Sequence, residues 1–265
     1  MRKADRIKLS VIVGVSLLAF IVGCVDTSVQ PIPTSVNYRS QISVVDLTVG
    51  TGTATLNVYG GVPDPDSLKK NILSIKYDLS TSLLNGSLTL GAVAPTTSYQ
   101  DVPAGAKLIV VSYSSAATDN FKLTTDTDYK MRLFIIGDNT AGGRTLVKST
   151  ERYIFQAPGT SSGDPLFPAG YGWVKFFNGS PDVGTVGDVV VKGGKIDTTF
   201  AFSGDFGKGS GYLKLPSGTA YSFTVRSDKQ DTLATFSQTP ASQHRYTTVI
   251  YDAKASLKTK VLTDD

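Results

Sequence analysis

The chain has 265 residues, with 26 Lys and Arg against 22 Asp and Glu, one cysteine and one histidine. One histidine and one glutamate are too few for a histidine-rich metal centre or a pair of catalytic glutamates. Residues 1–23 contain four basic residues and one acidic residue, so the rest of the chain carries 22 basic and 21 acidic side chains. This near-neutral remainder gives no basis for predicting a nucleic-acid partner.

The amino terminus has the pattern of a secretory signal peptide. Four basic residues at positions 2–8 precede an apolar run over 11–22, which is too short for a typical membrane span. An Ile-Val-Gly sequence then stands directly before Cys24, the only cysteine. This resembles the lipobox of bacterial lipoproteins, which implies cleavage before Cys24 and lipidation of its thiol. The alternative is an uncleaved anchor helix with a chance cysteine.

Several acyl chains at Cys24 would anchor the protein stably, because each buried CH₂ group contributes about 0.8 kcal/mol. The expected location is the bacterial cell envelope, at the outer membrane, with the surface or periplasmic face left open. Residues 24–39 are polar and contain prolines, so we predict a lipidated tether there.

From residue 40 the alternation of apolar and polar residues predicts short β-strands, separated by glycine, proline, asparagine and aspartate. A proline- and glycine-rich stretch at 156–170 lacks this alternation and is typical of a linker. We therefore predict one β-domain at 40–155 and a second at 171–265.

The two halves also resemble each other. "VGTGTATLNVYGG" (49–61) aligns with "VGTVGDVVVKGG" (183–194), and "RLFIIGD" (132–138) aligns with "TTVIYD" (247–252). The offset between the halves falls by about twenty residues along the chain. We place this insertion in the first half near 62–86, the least strand-like segment, where a short helix after Asp66 is an option. Such long-period similarity indicates tandem copies of one domain.

A strand ending in "FFNGSPDVG" (176–184) opens the second half, followed by "GDVVVKGG" and an "LPSG" turn at 215–218. These elements resemble the bacterial family called domain of unknown function 4397. The resemblance covers most of 171–262 and is weaker over 40–155, where the Ser-Pro-Asp element is missing. It implies immunoglobulin-like β-sandwiches on exported or surface proteins, without an established activity. The expected fold class is therefore all-β, with two tandem immunoglobulin-like antiparallel β-sandwiches after a lipoprotein signal peptide.

Within "FFNGSPDVG", we interpret Asn178, Ser180, Pro181 and Asp182 as a structural turn. Asn and Asp side chains bond backbone N–H groups about two residues on, proline presets φ, and glycine tolerates positive φ. The alternative is a ligand loop that uses the Asn178 amide and the Asp182 carboxylate.

Other motifs lack the context that their chemistry needs. "GTSSG" at 159–163 matches a nucleophile elbow but lies in the linker, and "FGKGSG" at 206–211 lacks phosphate-loop spacing and is predicted to be a flexible hairpin tip. His244 is expected at a strand end. The pairs at 64/66 and 126/128 could hold calcium through their carboxylates, but without a known loop spacing. We predict no catalytic residue, no metal and no cofactor.

Most aromatic residues lie on predicted strands and should belong to the core. In "WVKFF", Trp173 and Phe177 fall on one face of a strand and Phe176 on the other, so both faces are partly apolar. An exposed pair of aromatic rings could instead stack on a sugar or contact a partner protein.

The expected function is a non-catalytic binding, adhesion or structural role at the cell envelope. The expected partners are the membrane, through the lipid, and an envelope protein or glycan, with 62–86 as the candidate contact. The alternative is a carbohydrate-capturing surface lipoprotein of a nutrient-uptake system, which requires an exposed coplanar aromatic pair. A hydrolase would require a clustered acid–base pair, and with Glu151 and His244 each alone of its kind this is the weakest hypothesis.

Overall fold

The computed structural model describes residues 38–50, 52–64, 74–96, 99–114, 118–127, 129–138, 143–152 and 168–264. The predicted signal peptide, Cys24, nearly all of the tether, most of the linker and the optional helix after Asp66 lie outside these residues. Within them, no helix has the length and apolarity needed to cross a membrane.

The first half folds into two sheets. The described strands are β1 Arg39–Thr48, β2 Ala54–Pro63, β3 Ile75–Leu88, β4 Val93–Ala94, β5 Gln100–Pro103, β6 Gly105–Tyr113, β7 Thr118–Thr125, β8 Tyr129–Gly137 and β9 Arg144–Arg152. Sheet A has the order β4-β1-β8-β9, with β5 also paired to β1, and sheet B has the order β3-β2-β6-β7.

The second half repeats this arrangement. Its strands are β10 Tyr171–Asn178, β11 Val186–Gly193, β12 Ile196–Gly204, β13 Leu213–Pro216, β14 Tyr221–Ser227, β15 Thr232–Gln238, β16 Arg245–Tyr251 and β17 Lys258–Thr263, with a 3₁₀ turn at Lys254–Ser256. Sheet C has the order β13-β10-β16-β17, and sheet D has the order β12-β11-β14-β15. The predicted fold class, tandem β-sandwiches, is confirmed.

One strand pair in each half runs parallel, a feature that alternation alone did not indicate. β1 pairs in parallel with β8, and β10 pairs in parallel with β16, while the other pairs in the four sheets are antiparallel. The parallel registers are Val45↔Phe134 and Phe177↔Val249, so these two pairs occupy equivalent positions in the two copies.

Each sandwich encloses its own apolar core. In the first, alternate residues of β1 such as Ile42 and Val44 meet Leu56 and Ile109 of sheet B. In the second, Val174 and Phe176 meet the inner residues of sheet D. This inward alternation is the pattern that the sequence showed.

A third apolar cluster lies between sheets A and C, whose outer faces stack on each other. Its buried members are Val45, Leu47, Phe134, Ile136, Phe177, Val249, Tyr251 and Leu262. The rings of Phe134 and Phe177 stack with centroids 4.1 Å apart and an angle of 17° between planes. Strand β10 is therefore buried on both faces over residues 174–178, which explains why Phe176 and Phe177 are adjacent in the sequence and both apolar.

The two copies present equivalent surfaces to each other. Gly91 and Gly207 each lie three residues beyond the end of β3 or β12, and both have positive φ, 79° and 76°. A Cβ at Gly91 would lie 2.6 Å from the Tyr251 hydroxyl, and one at Gly207 would lie 2.8 Å from Ile136 Cδ1. Since Ile136 and Tyr251 are equivalent residues, the interface is isologous, like that of a symmetric dimer.

Polar contacts surround this apolar interface. Arg132 forms a buried ion pair with Asp264 at 3.3 Å and donates a hydrogen bond to the Thr263 carbonyl at 2.6 Å. On the opposite side, Lys175 Nζ donates to Ser149 Oγ at 3.0 Å. The sandwiches are thus joined by packing, ion pairing and hydrogen bonding, so they form one body.

The segment at 62–86 differs from its prediction as the least strand-like part of the first half. Its described residues from Ile75 onward form the 14-residue strand β3. Much of β3 is exposed, so the apolar alternation that marks a half-buried strand is weak there.

We predict that Gly179→Ala destabilises the whole body, because the added Cβ would lie 2.6 Å from Leu47 Cδ1 across the interface. The expected loss in free energy of unfolding is about 1–3 kcal/mol, measured by urea denaturation. Leu47→Ala in the same chain should recover part of the loss, so that the double variant costs less than the two single variants together.

The matched control is Gly211→Ala, because no atom lies within 4 Å of a Cβ built there. It should leave the urea midpoint unchanged. An equal loss from both variants would contradict the close approach of sheets A and C at Gly179.

Candidate functional site

The β2–β3 hairpin extends beyond sheet B as an arm. The pairing of β2 with β6 ends at Gly60↔Lys107, whereas β2 continues to pair with β3 from Gly61↔Tyr77 to Pro63↔Ile75. We call residues 61–63 and 75–81 the β2–β3 arm. Among the described residues no third strand pairs with this stretch, so its backbone edges are open to contact.

The arm carries large apolar side chains in solvent. Val62 is 60% exposed, Leu79 is 62% exposed and Ile75 is 36% exposed. Leu79 lies in a bulge, since residues 78–81 of β3 stand opposite Gly60 alone. Exposed apolar side chains grouped on one extension are typical of a protein-binding surface.

The bulge has an ordered backbone. Asp78 Oδ1 accepts hydrogen bonds from the Ser80 N–H at 2.9 Å and from the Ser80 hydroxyl at 2.6 Å. These bonds hold the pKa of the Asp78 carboxyl below its usual range. The turn presents Leu79 outward, so a partner would meet a preformed apolar projection.

The Asn178 side chain lies fully buried at the end of β10. Its Nδ2 donates to the carbonyls of Gly184 at 2.9 Å and Gly204 at 3.1 Å, and its Oδ1 accepts from the Ser180 N–H at 3.2 Å. These bonds connect the end of β10 to the end of β12 and to the loop before β11, and they close the local turn at Ser180.

The rest of this turn bonds the chain near residue 253. Ser180 Oγ donates to the Asp252 carbonyl at 2.6 Å, and Asp182 Oδ1 accepts from the Lys254 N–H at 2.7 Å. Pro181 is exposed between them. The amide of Asn178 and the carboxylate of Asp182, which a ligand loop would use, both bond the protein itself.

The first copy has an equivalent of this turn that letter-by-letter comparison missed. Strand register makes Asp46 the equivalent of Asn178 and Thr48 the equivalent of Ser180. Asp46 Oδ1 accepts from the Thr48 N–H at 2.9 Å, as Asn178 Oδ1 does from Ser180. The available signal was an Asp or Asn two residues before Ser or Thr at the end of the first strand.

A carboxylate at this position has a different environment from an amide. Asp46 is fully buried, its Oδ2 has no hydrogen-bond partner among the described residues, and burial raises its pKa although Arg144 acts in the opposite direction. Arg144 lies with its guanidinium 4.2 Å from the Tyr113 ring centroid and forms an ion pair with Asp119. Burial also raises the pKa of Tyr113.

Over the part of the chain that it describes, the structure does not bring the other candidate residues, His244 and the aspartate pairs, together into a site. His244 lies before β16, with its ring 6.2 Å from that of Tyr246. Asp64 lies near Ser74, while its pair member Asp66 is outside the described residues, as is Asp128 beside Asp126. Among the described residues, no three His, Cys, Asp or Glu side chains group as a metal site would require.

The glycine-rich stretch at 206–211 is not the flexible hairpin tip that we predicted. The Asn178 N–H donates to the Lys208 carbonyl at 2.9 Å, and the Ser210 N–H donates to the Phe176 carbonyl at 2.8 Å. The stretch therefore runs along β10 as part of the sheet edge, with an isolated bridge between Phe177 and Gly209.

The aromatic surface lies at the outer end of β10. Tyr171 is 36% exposed and Trp173 is half-buried on the same face of the strand. Lys214 Nζ lies 3.9 Å from the Tyr171 ring centroid and 5.7 Å from that of Trp173. This ammonium group occupies the approach to both rings, so they do not form the open platform that sugar stacking requires.

Comparison with known proteins finds a family match for the second half of the chain. Residues 172–265 match the family model described as Domain of unknown function (DUF4397). This match confirms the predicted resemblance over that half. No curated protein matches the chain.

Eight chains of solved structures match. One is a crystal structure of a proposed cell adhesion protein from Bacteroides uniformis, 13% identical, covering 86% of this chain and 98% of that one, with a TM-score of 0.24. That TM-score is too low to transfer a fold or a role.

We predict that Asp46→Asn stabilises the protein at neutral pH by about 1 kcal/mol, since a neutral amide avoids the cost of burying an ionised carboxylate. A raised folded-state pKa means that the stability from the protonated Asp46 is fully present below the unfolded pKa, about 3.9, and is lost as pH rises through the folded pKa. The gain from Asp46→Asn should therefore grow as pH rises. Urea midpoints measured from pH 3.5 to 7.5 check this.

The control is Asp78→Asn, whose carboxyl is exposed and has a lowered pKa, so no gain is expected. A loss of stability from Asp46→Asn at pH 7 would show that the ionised carboxylate is favoured in the fold.

Proposed function

We propose that this chain is a lipid-anchored, non-catalytic protein of the bacterial cell envelope that binds an envelope protein through its β2–β3 arm. The observation that carries the proposal is the arm itself, with Val62 and Leu79 each at least 60% exposed on a two-stranded extension.

The arm offers two kinds of interaction to a partner. Burying a Val or Leu side chain contributes about 1.5–3 kcal/mol, which gives affinity without any charge requirement. Strand β3 lies at the edge of sheet B, so its outward backbone groups can pair with a strand of the partner. Apolar projections combined with an open edge favour a protein partner over a free sugar.

A non-catalytic role agrees with the chemistry of the described residues. The Asn178 turn is built from bonds within the protein, and we propose that Asn178, Ser180, Pro181 and Asp182 serve the fold alone. No described cleft combines a histidine with a carboxylate. We propose that Cys24 carries the lipid and that residues 24–39 tether the sandwiches to the outer membrane.

We predict that Cys24→Ala abolishes incorporation of an alkyne-labelled palmitate and moves the protein from the detergent phase to the aqueous phase on Triton X-114 partitioning. The physical reason is loss of the acyl chains that supply the membrane affinity. Val29→Ala in the tether is the control and should retain both label and detergent partitioning. Unchanged labelling of Cys24→Ala would remove the lipid anchor from the proposal.

We predict that a photo-crosslinking amino acid at Leu79 captures a specific envelope protein in intact cells, whereas one at Tyr38 does not. Tyr38 is the matched control because it is 60% exposed but lies immediately before β1. The pair Val62→Ser and Leu79→Ser should lower recovery of that partner by about tenfold or more, with no change in the urea midpoint. Unchanged recovery would contradict binding through the arm.

A further inference from the structure

A cleft of about 440 Å³ lies at one side of the interface between sheets A and C. Three lysines line it: Lys148 on β9, Lys175 on β10 and Lys208 in the loop after β12. We call it the lysine cleft. None of the described residues that line it is acidic. A concave site with three ammonium groups and no lining carboxylate attracts anions.

The ammonium group of Lys175 is buried in the cleft and is fixed by contacts with the protein. Lys175 is 8% exposed, and its Nζ donates to Ser149 Oγ at 3.0 Å and lies 4.9 Å from the Tyr212 ring centroid. Because Ser149 Oγ accepts from Lys175, its own O–H is directed elsewhere and can donate to a ligand. Lys148 and Lys208 are exposed at the rim, and within the described chain neither takes part in an ion pair.

The isologous interface supplies an internal comparison. A second cleft of about 460 Å³ lies on the opposite side, and its lining includes Arg132 and Lys260. There the basic groups join the sandwiches: Arg132 pairs with Asp264, and Lys260 Nζ donates to the Gly91 carbonyl at 2.6 Å. On the lysine-cleft side only Lys175 makes such a bond, to Ser149, while Lys148 and Lys208 join no ion pair within the described chain.

The three lysines have no counterparts in the second cleft. By strand register and loop position, the equivalents of Lys148, Lys175 and Lys208 are Val261, Ser43 and Ala92. Each of the three equivalent positions is thus occupied by an uncharged residue. Lys175 bonds Ser149 across the interface, but packing of the two copies does not account for the charges of Lys148 and Lys208.

The walls of the lysine cleft limit the ligand. The half-buried Val147 and Tyr212 contribute apolar surface, while Ser149 and the lysines contribute hydrogen-bond donors. The volume suits one or two sugar rings. A sugar acid combines an apolar ring face, hydroxyls and a carboxylate, which are the groups that this lining can meet.

We propose that the lysine cleft binds a carboxylate-bearing sugar unit of an acidic polysaccharide. The carboxylate lies between Lys148 and Lys208, the sugar hydroxyls accept from Ser149 and Lys175, and the ring covers the apolar floor. This site is separate from the β2–β3 arm, so either can fail in experiment without the other.

The test is affinity electrophoresis of the purified 24–265 chain, without lipid, in gels containing polygalacturonate, with dextran gels as the neutral reference. Wild-type protein should be retarded by polygalacturonate alone. Lys148→Gln with Lys208→Gln should weaken the apparent affinity by about tenfold or more, because two charge-assisted contacts are lost. Lys195→Gln with Lys229→Gln is the control, since both lysines are exposed elsewhere and the net charge changes equally.

Equal weakening by the two double variants would show attraction by overall charge alone and would overturn the site, as would a lack of retardation. Competition with small carboxylates distinguishes recognition of a sugar acid from recognition of any carboxylate. Free galacturonate should release the protein, whereas acetate at the same concentration should not. Equal release by acetate would overturn the sugar specificity. The Val62→Ser and Leu79→Ser pair should be retarded like wild type, which keeps this test independent of the arm.

Discussion

The face-to-face packing of sheets A and C is the contact on which the rest of the molecule depends. Phe134 and Phe177 stack at its centre, and residues from both copies exclude water around them. The buried ion pair of Arg132 and Asp264 lies beside this cluster, where loss of one partner costs about 3–5 kcal/mol. Because this packing holds the two sandwiches together, it also places the arm on one copy and the lysine cleft at the boundary of both.

Shared topology leaves the two copies free to differ where packing does not constrain them. The first copy carries the β2–β3 arm and a buried aspartate at the turn, and the second carries an asparagine there. The lysines of the cleft have neutral equivalents across the interface. Positions that face the partner copy are instead complementary: Leu47 fills the space that Gly179 leaves. Each candidate site thus lies where the two copies differ in sequence. These are the positions that the packing of the fold constrains least.

The strands, their alternation and the internal repeat were predictable from the sequence, because half-buried strands keep a period of two residues. The adjacent Phe176 and Phe177 also indicated that both faces of β10 are partly apolar. The covering sheet could not be predicted, since a strand pattern does not say which other sheet lies against it. The equivalence of Asp46 and Asn178 was hidden because register, not residue identity, defines it. The course of β3 was missed because an exposed two-stranded arm lacks a buried face.

Hydrogen exchange of peptides from both copies, measured by mass spectrometry along a urea series, tests the shared interface most directly. The single-body account predicts one common unfolding midpoint for peptides from 38–152 and 171–264, and a fall of both midpoints in Phe134→Ala. Removing that ring leaves a cavity between the sheets, with an expected cost of about 3–5 kcal/mol. Two separate midpoints in the wild-type protein, or a fall confined to the first copy in Phe134→Ala, would contradict it.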